Sequence, residues 1–336
     1  MAALIAGGCG FIGLALAERH LQDGDTVVLF DRNGLHPAAK ARLDALPGTY
    51  TLVQGDIREA EPVAQAIRAH RVDRVFYGAA VTSGPERERD APESVIEVNL
   101  LGLAHTLKAA AKAGVRRLIN ISSGAAYGTG AFGDTGWDGP LDEYGTREEP
   151  FKIYGMTKFG SERLVRRYAE LTDLDARSVR LSTIFGPWEV DSGARDTLSA
   201  PMQAALAARA GRPAVFARED HLDWTYSRHV ASALTALMAA PTGHLKSDIF
   251  NVTSARQVSV MAMCAPLVDA FPGFSYRLAE AGEAPTINLW GDIDRYPMKP
   301  DRLADEVGHR LPDDLMATMT DFVDWIRDHG AFWDRR

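Results

Sequence analysis

Cysteine is almost missing from this chain. Only Cys9 and Cys264 occur in 336 residues, which excludes a disulfide framework and a four-thiolate zinc site and makes a reducing cytoplasm the expected compartment. Clustered positive charge is missing as well. The formal net charge is -8, and the arginine-rich stretch RLVRRYAE (163–170) mixes signs as a solvated helix face does. Binding to polyanions rests on clustered cations that neutralise phosphates, so neither nucleic acid nor an anionic membrane is expected as a partner. Long apolar runs are absent: the opening MAALIAGG is too short for a signal segment or a membrane span and reads as the first strand of the mature protein. There is no internal repeat or low-complexity tail. The nine histidines form no HExxH, and His221, His229 and His244 are scattered, so no metal site is expected.

What the chain does have is 46% hydrophobic residues, enough to core one large or two closely joined domains. Strand-length apolar runs, ALIAG (3–7), TVVLF (26–30), YTLVQ (50–54), RVFYG (74–78), RRLINI (116–121) and DARSVRLS (175–182), alternate with helical segments near 11–23, 60–69, 92–113 and 154–172. That alternation predicts an α/β fold of the Rossmann type, a doubly wound parallel sheet with helices on both faces. Beyond about residue 182 the pattern loosens around FGPWE, GRP, APTG and FPGF, which predicts a smaller C-terminal substrate lobe. The expected division is a nucleotide-binding domain over 1–181, completed by segments around 223–252, with 182–222 and 253–336 forming the lobe. The stretch 128–150 is too rich in glycine and turns for a helix, and a loop of that length is usually functional or mobile.

AGGCGFIG places Gly7, Gly10 and Gly13 between the first strand and the first helix. Glycines there allow a tight turn, close approach of a pyrophosphate and close helix packing, and the helix N-terminus offers free N–H groups. A glycine turn that binds nothing is the competing reading. Asp31, at the end of the second strand, weighs against it, because an acidic residue about 20 positions on accepts hydrogen bonds from a ribose and repels a 2′-phosphate. NAD is therefore favoured over NADP, although Arg32 is a guanidinium able to pair with such a phosphate.

In IYGMTK, Tyr154 and Lys158 are four residues apart, on one face of a helix. A free tyrosine has a pKa of about 10, and a fixed ammonium makes it a better acid or base at neutral pH. Such pairs are also common on solvated helices. Upstream, INISSGAAYG (119–128) follows the fifth strand, and there Ser123 is suited to hold an oxygen that exchanges a proton with Tyr154. Ser122 and Ser123 as ordinary strand-end turn residues is the alternative.

GGCGFIG, Asp31, GDI (55–57), GAA (78–80), EVNLLG (97–102), SSGAAYG (122–128), YGMTK (154–158) and FGP (185–187) occur in this order over the first 190 residues, with a weaker continuation through DWTYSRHVASAL. As a set they resemble the extended short-chain dehydrogenase/reductase superfamily, often called the NAD-dependent epimerase/dehydratase family. The resemblance implies that Gly7, Gly10, Phe11, Ile12 and Asp31 hold NAD, with Asp56 and Ile57 near the adenine and Ala79 and Ala80 lining the groove. It implies that Tyr154 is the acid/base, that Lys158 lowers its pKa and holds the nicotinamide ribose, and that Ser123 orients the reacting oxygen. Asn99 would support the lysine through a water; its other reading is a helix-packing amide. A homodimer pairing the helices near 92–113 and 154–172 is the implied assembly.

The residues after Ser123 narrow the reaction. Dehydrating relatives carry an acidic pair there and decarboxylating ones a glutamate, whereas this chain has Gly124 and Ala125. Simple hydride transfer or 4-epimerisation remain. Nucleotide-sugar relatives usually carry an asparagine two residues before the aromatic-Gly-Pro element and an arginine before an Asp-aromatic dipeptide; here these are Thr183 and Leu222, the latter ahead of Asp223 and Trp224. A diphosphate in a cleft needs cationic and N–H donors, and Arg195, Arg212 and Arg256 are the cations left to compensate. The expectation is an NAD-dependent oxidoreductase acting on a carbinol of a sugar, sugar acid or similar hydroxylated molecule, with Ser123, Gly124, Thr183, Arg195 and Trp224 near the substrate. The rivals are a nucleotide-sugar 4-epimerase with bound NAD and a catalytically silent NAD-binding protein. The expanded loop, with Trp137, Asp138, Asp142 and Tyr144, either closes over the substrate or covers a subunit edge.

Overall fold

The computed structural model describes residues 2–132, 139–191, 193–289 and 291–333. Seven strands form one sheet, all neighbours parallel: β1 (Ala2–Ala6), β2 (Thr26–Asp31), β3 (Thr49–Gln54), β4 (Val72–Tyr77), β5 (Arg117–Ser123), β6 (Asp175–Leu181) and β10 (Ile249–Val252). Their spatial order is β10-β6-β5-β4-β1-β2-β3. The order reverses beside β1, and in a doubly wound sheet ligands bind at the carboxyl ends of the strands near such a reversal. The expected six strands are all present, and the seventh comes from past residue 182.

The apolar strands are explained by burial on both faces. In β1, Ala3 and Ile5 belong to one core while Ala2, Leu4 and Ala6 belong to the other, and β2 divides in the same way, with Val27 and Leu29 against Val28 and Phe30. A strand covered on one side alone would have alternated with polar residues. Helix Phe11–Gln22 packs beside Ser227–Ala239 on one face, and Ala60–Ala69 beside Gly102–Ala113 on the other.

The remaining strands, β7 (Thr183–Phe185), β8 (Ala214–Phe216), β9 (Leu222–Tyr226), β11 (Gln257–Val258) and β12 (Tyr276–Leu278), make a three-stranded sheet of order β11-β9-β7 and the pair β12-β8. Two short helices, Pro37–Asp44 and Pro85–Asp90, were not expected from periodicity; each starts on a proline, which suits the first turn because its missing N–H has no intrahelical partner there. The helix expected over 92–113 is interrupted by a π-helical turn at Glu97–Leu101. Such single turns are often found at functional sites, and this one carries Asn99.

Candidate functional site

A cleft of about 1000 Å³ runs along the carboxyl edge of the large sheet. Its wall brings together Gly7, Gly10, Phe11, Ile12, Asp31, Arg32, Asp56, Ile57, Ala79, Ala80, Ser123, Gly124, Tyr154, Lys158, Thr183 and Arg195. At one end, the Gly7 and Gly8 amides donate to the Phe30 carbonyl at 2.9 and 3.2 Å, bending the chain sharply after β1. Gly7 takes φ +77°, and a Cβ there would lie 2.9 Å from the Ala79 nitrogen. A Cβ on Gly13 would run into the Gly7 carbonyl oxygen. The loop thus needs glycine at both positions, one for conformation and one for helix packing. Gly10 caps helix Phe11–Gln22 without a side-chain partner, and the first turn carries no acidic residue, so the helix N-terminus is open to an anion.

Asp31 fastens this loop from the side. One of its oxygens accepts the Cys9 amide at 3.0 Å and the other the Asn33 amide at 2.9 Å. A carboxylate has about four acceptor positions, so acceptor capacity is left for a diol. Burial raises the Asp31 carboxyl above its ordinary range, with those amides and Arg32 opposing. Burial and the Asp31 charge also push the Cys9 thiol up to about 12, keeping it neutral. Asp56 is held below the usual range by Arg58, bonded at 2.6 Å.

At the other end stand Ser123, Tyr154 and Lys158. The period-two alternation of β5 separates the two serines: Ser122 turns inward and donates to Glu162 at 2.6 Å, while Ser123 faces the cleft. Ser123 Oγ accepts the Ala125 amide at 3.1 Å, capping a 3₁₀ turn at Gly124–Tyr127, which leaves its proton available to the cleft. Helix Ile153–Leu171 starts beside the Glu88 carboxylate, which accepts the Tyr154 amide at 3.3 Å. Lys158 is 4% exposed; its Nζ donates to the Ile121 carbonyl at 2.8 Å and lies 5.7 Å from the centre of the Tyr154 ring. Burial lowers the Lys158 ammonium below its usual range, with Tyr154 and Glu162 opposing.

Asn99 and Trp224 do not reach the cleft wall. Asn99 is buried behind it, where its oxygen accepts the Val81 amide at 2.8 Å and its amide donates to the Val81 carbonyl at 3.1 Å and to Thr157 Oγ1 at 2.9 Å. Thr157 in turn donates to the Tyr154 carbonyl at 2.8 Å. The asparagine therefore ties helix Ile153–Leu171 to the chain after β4 and makes no direct bond to Lys158. Trp224 is a core residue, packed edge-on to Phe185 and bonded to Asp220 at 3.2 Å. Arg195 is paired with Glu189 at 2.8 Å, Arg256 with Asp313 at 3.0 Å, and Arg212 is exposed away from the cleft.

The second half of the expanded loop is fastened to later segments. Leu141 exchanges backbone hydrogen bonds with Pro297 and Lys299, Glu143 accepts the Asn251 amide at 2.8 Å, Asp142 pairs with Arg302, and Tyr144 bonds Asp248. Trp137 and Asp138 lie outside the described residues. Sequence reasoning missed Arg295, which lines the cleft near Tyr154. It sits in a segment without periodicity or motif, so nothing local singled it out.

The sequence profile of the NAD dependent epimerase/dehydratase family matches residues 3–253. The chain belongs to this family. It is therefore an NAD-dependent enzyme of the extended short-chain dehydrogenase/reductase type. The glycine cradle, the open helix N-terminus and the spare acceptors of Asp31 fit that cofactor. Among its relatives, a UDP-glucose 4-epimerase of Mycolicibacterium smegmatis is 29% identical over 62% of this chain and 64% of its own length. A dTDP-glucose 4,6-dehydratase of Streptomyces antibioticus is 24% identical over 98% of this chain and 94% of its own. In fold, the chain is similar to UDP-glucose-4-epimerase from Stenotrophomonas maltophila, solved with bound NAD and formylated UDP-arabinopyranose, with a TM-score of 0.80 at 22% identity over 98% of this chain and 99% of that one.

Proposed function

We propose that this protein is an NAD-dependent oxidoreductase that removes hydride from, or returns it to, a carbinol carbon of a hydroxylated small molecule. The observation that carries this reading is the meeting of Ser123, Tyr154 and Lys158 at the far end of the cleft from the glycine loop. NAD, when bound, supplies the hydride acceptor at its nicotinamide ring. On the protein's side, the Ser123 hydroxyl donates to the substrate oxygen, and the Tyr154 oxygen takes the proton that leaves as the carbonyl forms. Lys158, desolvated and fixed by the Ile121 carbonyl, presents its charge to Tyr154 and has donors left for a ribose. Gly124 and Ala125 offer no second acid or base beside Ser123, which weighs against dehydration and decarboxylation.

A nucleotide-sugar 4-epimerase is the second reading, favoured by the names of the relatives and by a cleft wall that a dinucleotide and a sugar can share. The two differ in one assay. With NAD and a panel of sugars, sugar acids and nucleotide sugars, the dehydrogenase accumulates NADH in step with an oxidised product. Epimerised nucleotide sugar without net NADH is the outcome that replaces it with the epimerase. The same reading includes a homodimer across the helical segments 92–113 and 153–171, supported by the exposure of Ile96, Leu101 and Met156 at 48%, 44% and 49%.

A further inference from the structure

We infer that Arg295 is the anion site for the substrate, binding a carboxylate a few bonds from the carbinol that reacts at Tyr154, so that the substrate is a hydroxy acid of the sugar-acid class. This rests on the proposed hydride-transfer reading and narrows it.

Arg295 lines the cleft together with Ser123, Tyr154 and Lys158. It is half-buried, and its guanidinium makes no hydrogen bond or ion pair with any described residue. The carboxylates around it have other partners. Asp294 accepts from Arg218 at 2.7 Å and from the His221 amide at 2.8 Å. Asp223 accepts from Thr253, from Ser254 at 3.1 Å and from the Met298 amide at 3.1 Å. Glu189 is held by Arg195 at 2.8 Å and by the Ser199 amide at 2.6 Å. Of the lysines at this end, Lys158 donates to the Ile121 carbonyl and lies against the Tyr154 ring, with its remaining donors assigned to the ribose, and Lys152 is exposed over the Phe151 ring.

The backbone carrying Arg295 is pinned. Gln257 donates to the carbonyls of both His221 and Arg295 at 3.1 Å, and the Tyr296 amide donates to Ala131 at 2.9 Å. Burial pushes the guanidinium below its usual value, with Tyr154 the opposing charge. The half-buried guanidinium therefore stands at the cleft wall without a carboxylate partner from the described residues, placed to take one from a ligand. A planar guanidinium matches a carboxylate by two parallel bonds. Behind Arg295 the wall closes on a recess of about 20 Å³ lined by Gly124, Leu141, Thr183, Leu222, Met298 and Asp223, the last committed to Thr253, Ser254 and the Met298 amide. That recess has room for a group of water size.

The test uses the intact protein with bound NADH. Thermal stability is measured with ribonate, gluconate and galacturonate, and with ribitol, glucitol and galactose as neutral counterparts, for wild type, Arg295→Met and Arg295→Lys. At least one acid is expected to stabilise the wild type beyond its neutral counterpart. Arg295→Met loses that gain, Arg295→Lys recovers part of it, and stabilisation by NAD itself is unchanged in both. With a turned-over acid, Arg295→Met raises KM about 30-fold or more with kcat changed far less. Equal stabilisation by acids and neutral sugars overturns the inference, as does no stabilisation by any acid. UDP or dTDP protecting wild type but not Arg295→Met assigns the guanidinium to a diphosphate and overturns it too. NADH formed from neutral sugars with acids inert overturns this site and leaves hydride transfer standing. Arg295-dependent binding of an acid without any NADH supports the site and removes the hydride-transfer reading.

Discussion

Replacing Glu162 by glutamine is expected to cost about 3 kcal/mol of folding stability. Glu162 lies one turn beyond Lys158 on the same helix and is fully buried. Its carboxylate accepts from Arg180 Nε at 3.0 Å, from Arg180 Nη2 at 2.7 Å and from Ser122 Oγ at 2.6 Å. Glutamine keeps the shape but removes the charge, and it turns an NH₂ toward groups that are themselves donors. Arg180, on β6, is then a fully buried guanidinium whose remaining carboxylate is Glu148 at 2.8 Å, 17% exposed. Removing one member of a buried pair costs about 3–5 kcal/mol, and the retained Glu148 contact puts this case at the lower end. Urea unfolding at saturating NAD measures it: for a slope near 3 kcal/mol/M the midpoint falls by about 1 M with the slope unchanged. The double variant Glu162→Leu/Arg180→Met should lose less than the sum of its single variants, because neither charge is left alone. A loss below about 1 kcal/mol for Glu162→Gln would refute the claim that this pair is desolvated and mutually dependent.

Three further outcomes follow from the site. Tyr154→Phe keeps the ring against Lys158 and removes the proton acceptor, so kcat should fall about 10²- to 10⁴-fold with NAD affinity nearly unchanged; a fall of less than tenfold with chemistry rate-limiting rules out the proton-transfer role. Asp31 is raised by burial, so the NAD-free fold favours its protonated form and loses stability as pH rises through the raised pKa, while NAD, which needs the carboxylate, gains affinity over the same interval. A fluorescence titration should therefore show NAD binding weaken as pH falls through that window, and Asp31→Asn should remove the dependence; a flat wild-type profile contradicts the assignment. Leu101→Arg places a charge on an exposed apolar position of the expected subunit face, and equilibrium sedimentation should show monomer where wild type shows dimer; an unchanged mass removes that face from the interface.

The parts of the fold legible in the sequence were those encoded by short-range pattern. Strands buried on both faces read as continuous apolar runs, and all six expected by residue 182 lie in the large sheet. The glycine loop, the strand-end Asp31 and the i, i+4 pair of Tyr154 and Lys158 depend on backbone geometry within one strand, turn or helix, so spacing alone announces them. Asn99 shows where that reach ends. Its motif drew attention to it, but its partners Val81 and Thr157 come from two other parts of the chain, and the π-helical turn that aims it has no periodic signature. Trp224 erred in the opposite sense: an aromatic in a family-like dipeptide invites a ligand role, while its packing on Phe185 makes it part of the core.

The substrate end was least legible because its chemistry is divided among segments that only the fold unites. Thr183 lies on β7, Leu222 begins β9, and Arg295 comes from an irregular stretch near the C-terminus, yet all three face one small recess beside Gly124. Their identities are electrostatically consistent with one another. An arginine at position 222 would put a second guanidinium against the same 20 Å³ as Arg295, and like charges at such close range repel, with Asp223 already committed to Thr253, Ser254 and the Met298 amide. On the proposed reading, Leu222 leaves Arg295 as the cation that lines this recess, and the site for an anion then lies beside the hydroxyl assigned to Tyr154. On that reading a substrate carries its anion close to its carbinol, the property that separates a sugar acid from a sugar held by a distant nucleotide.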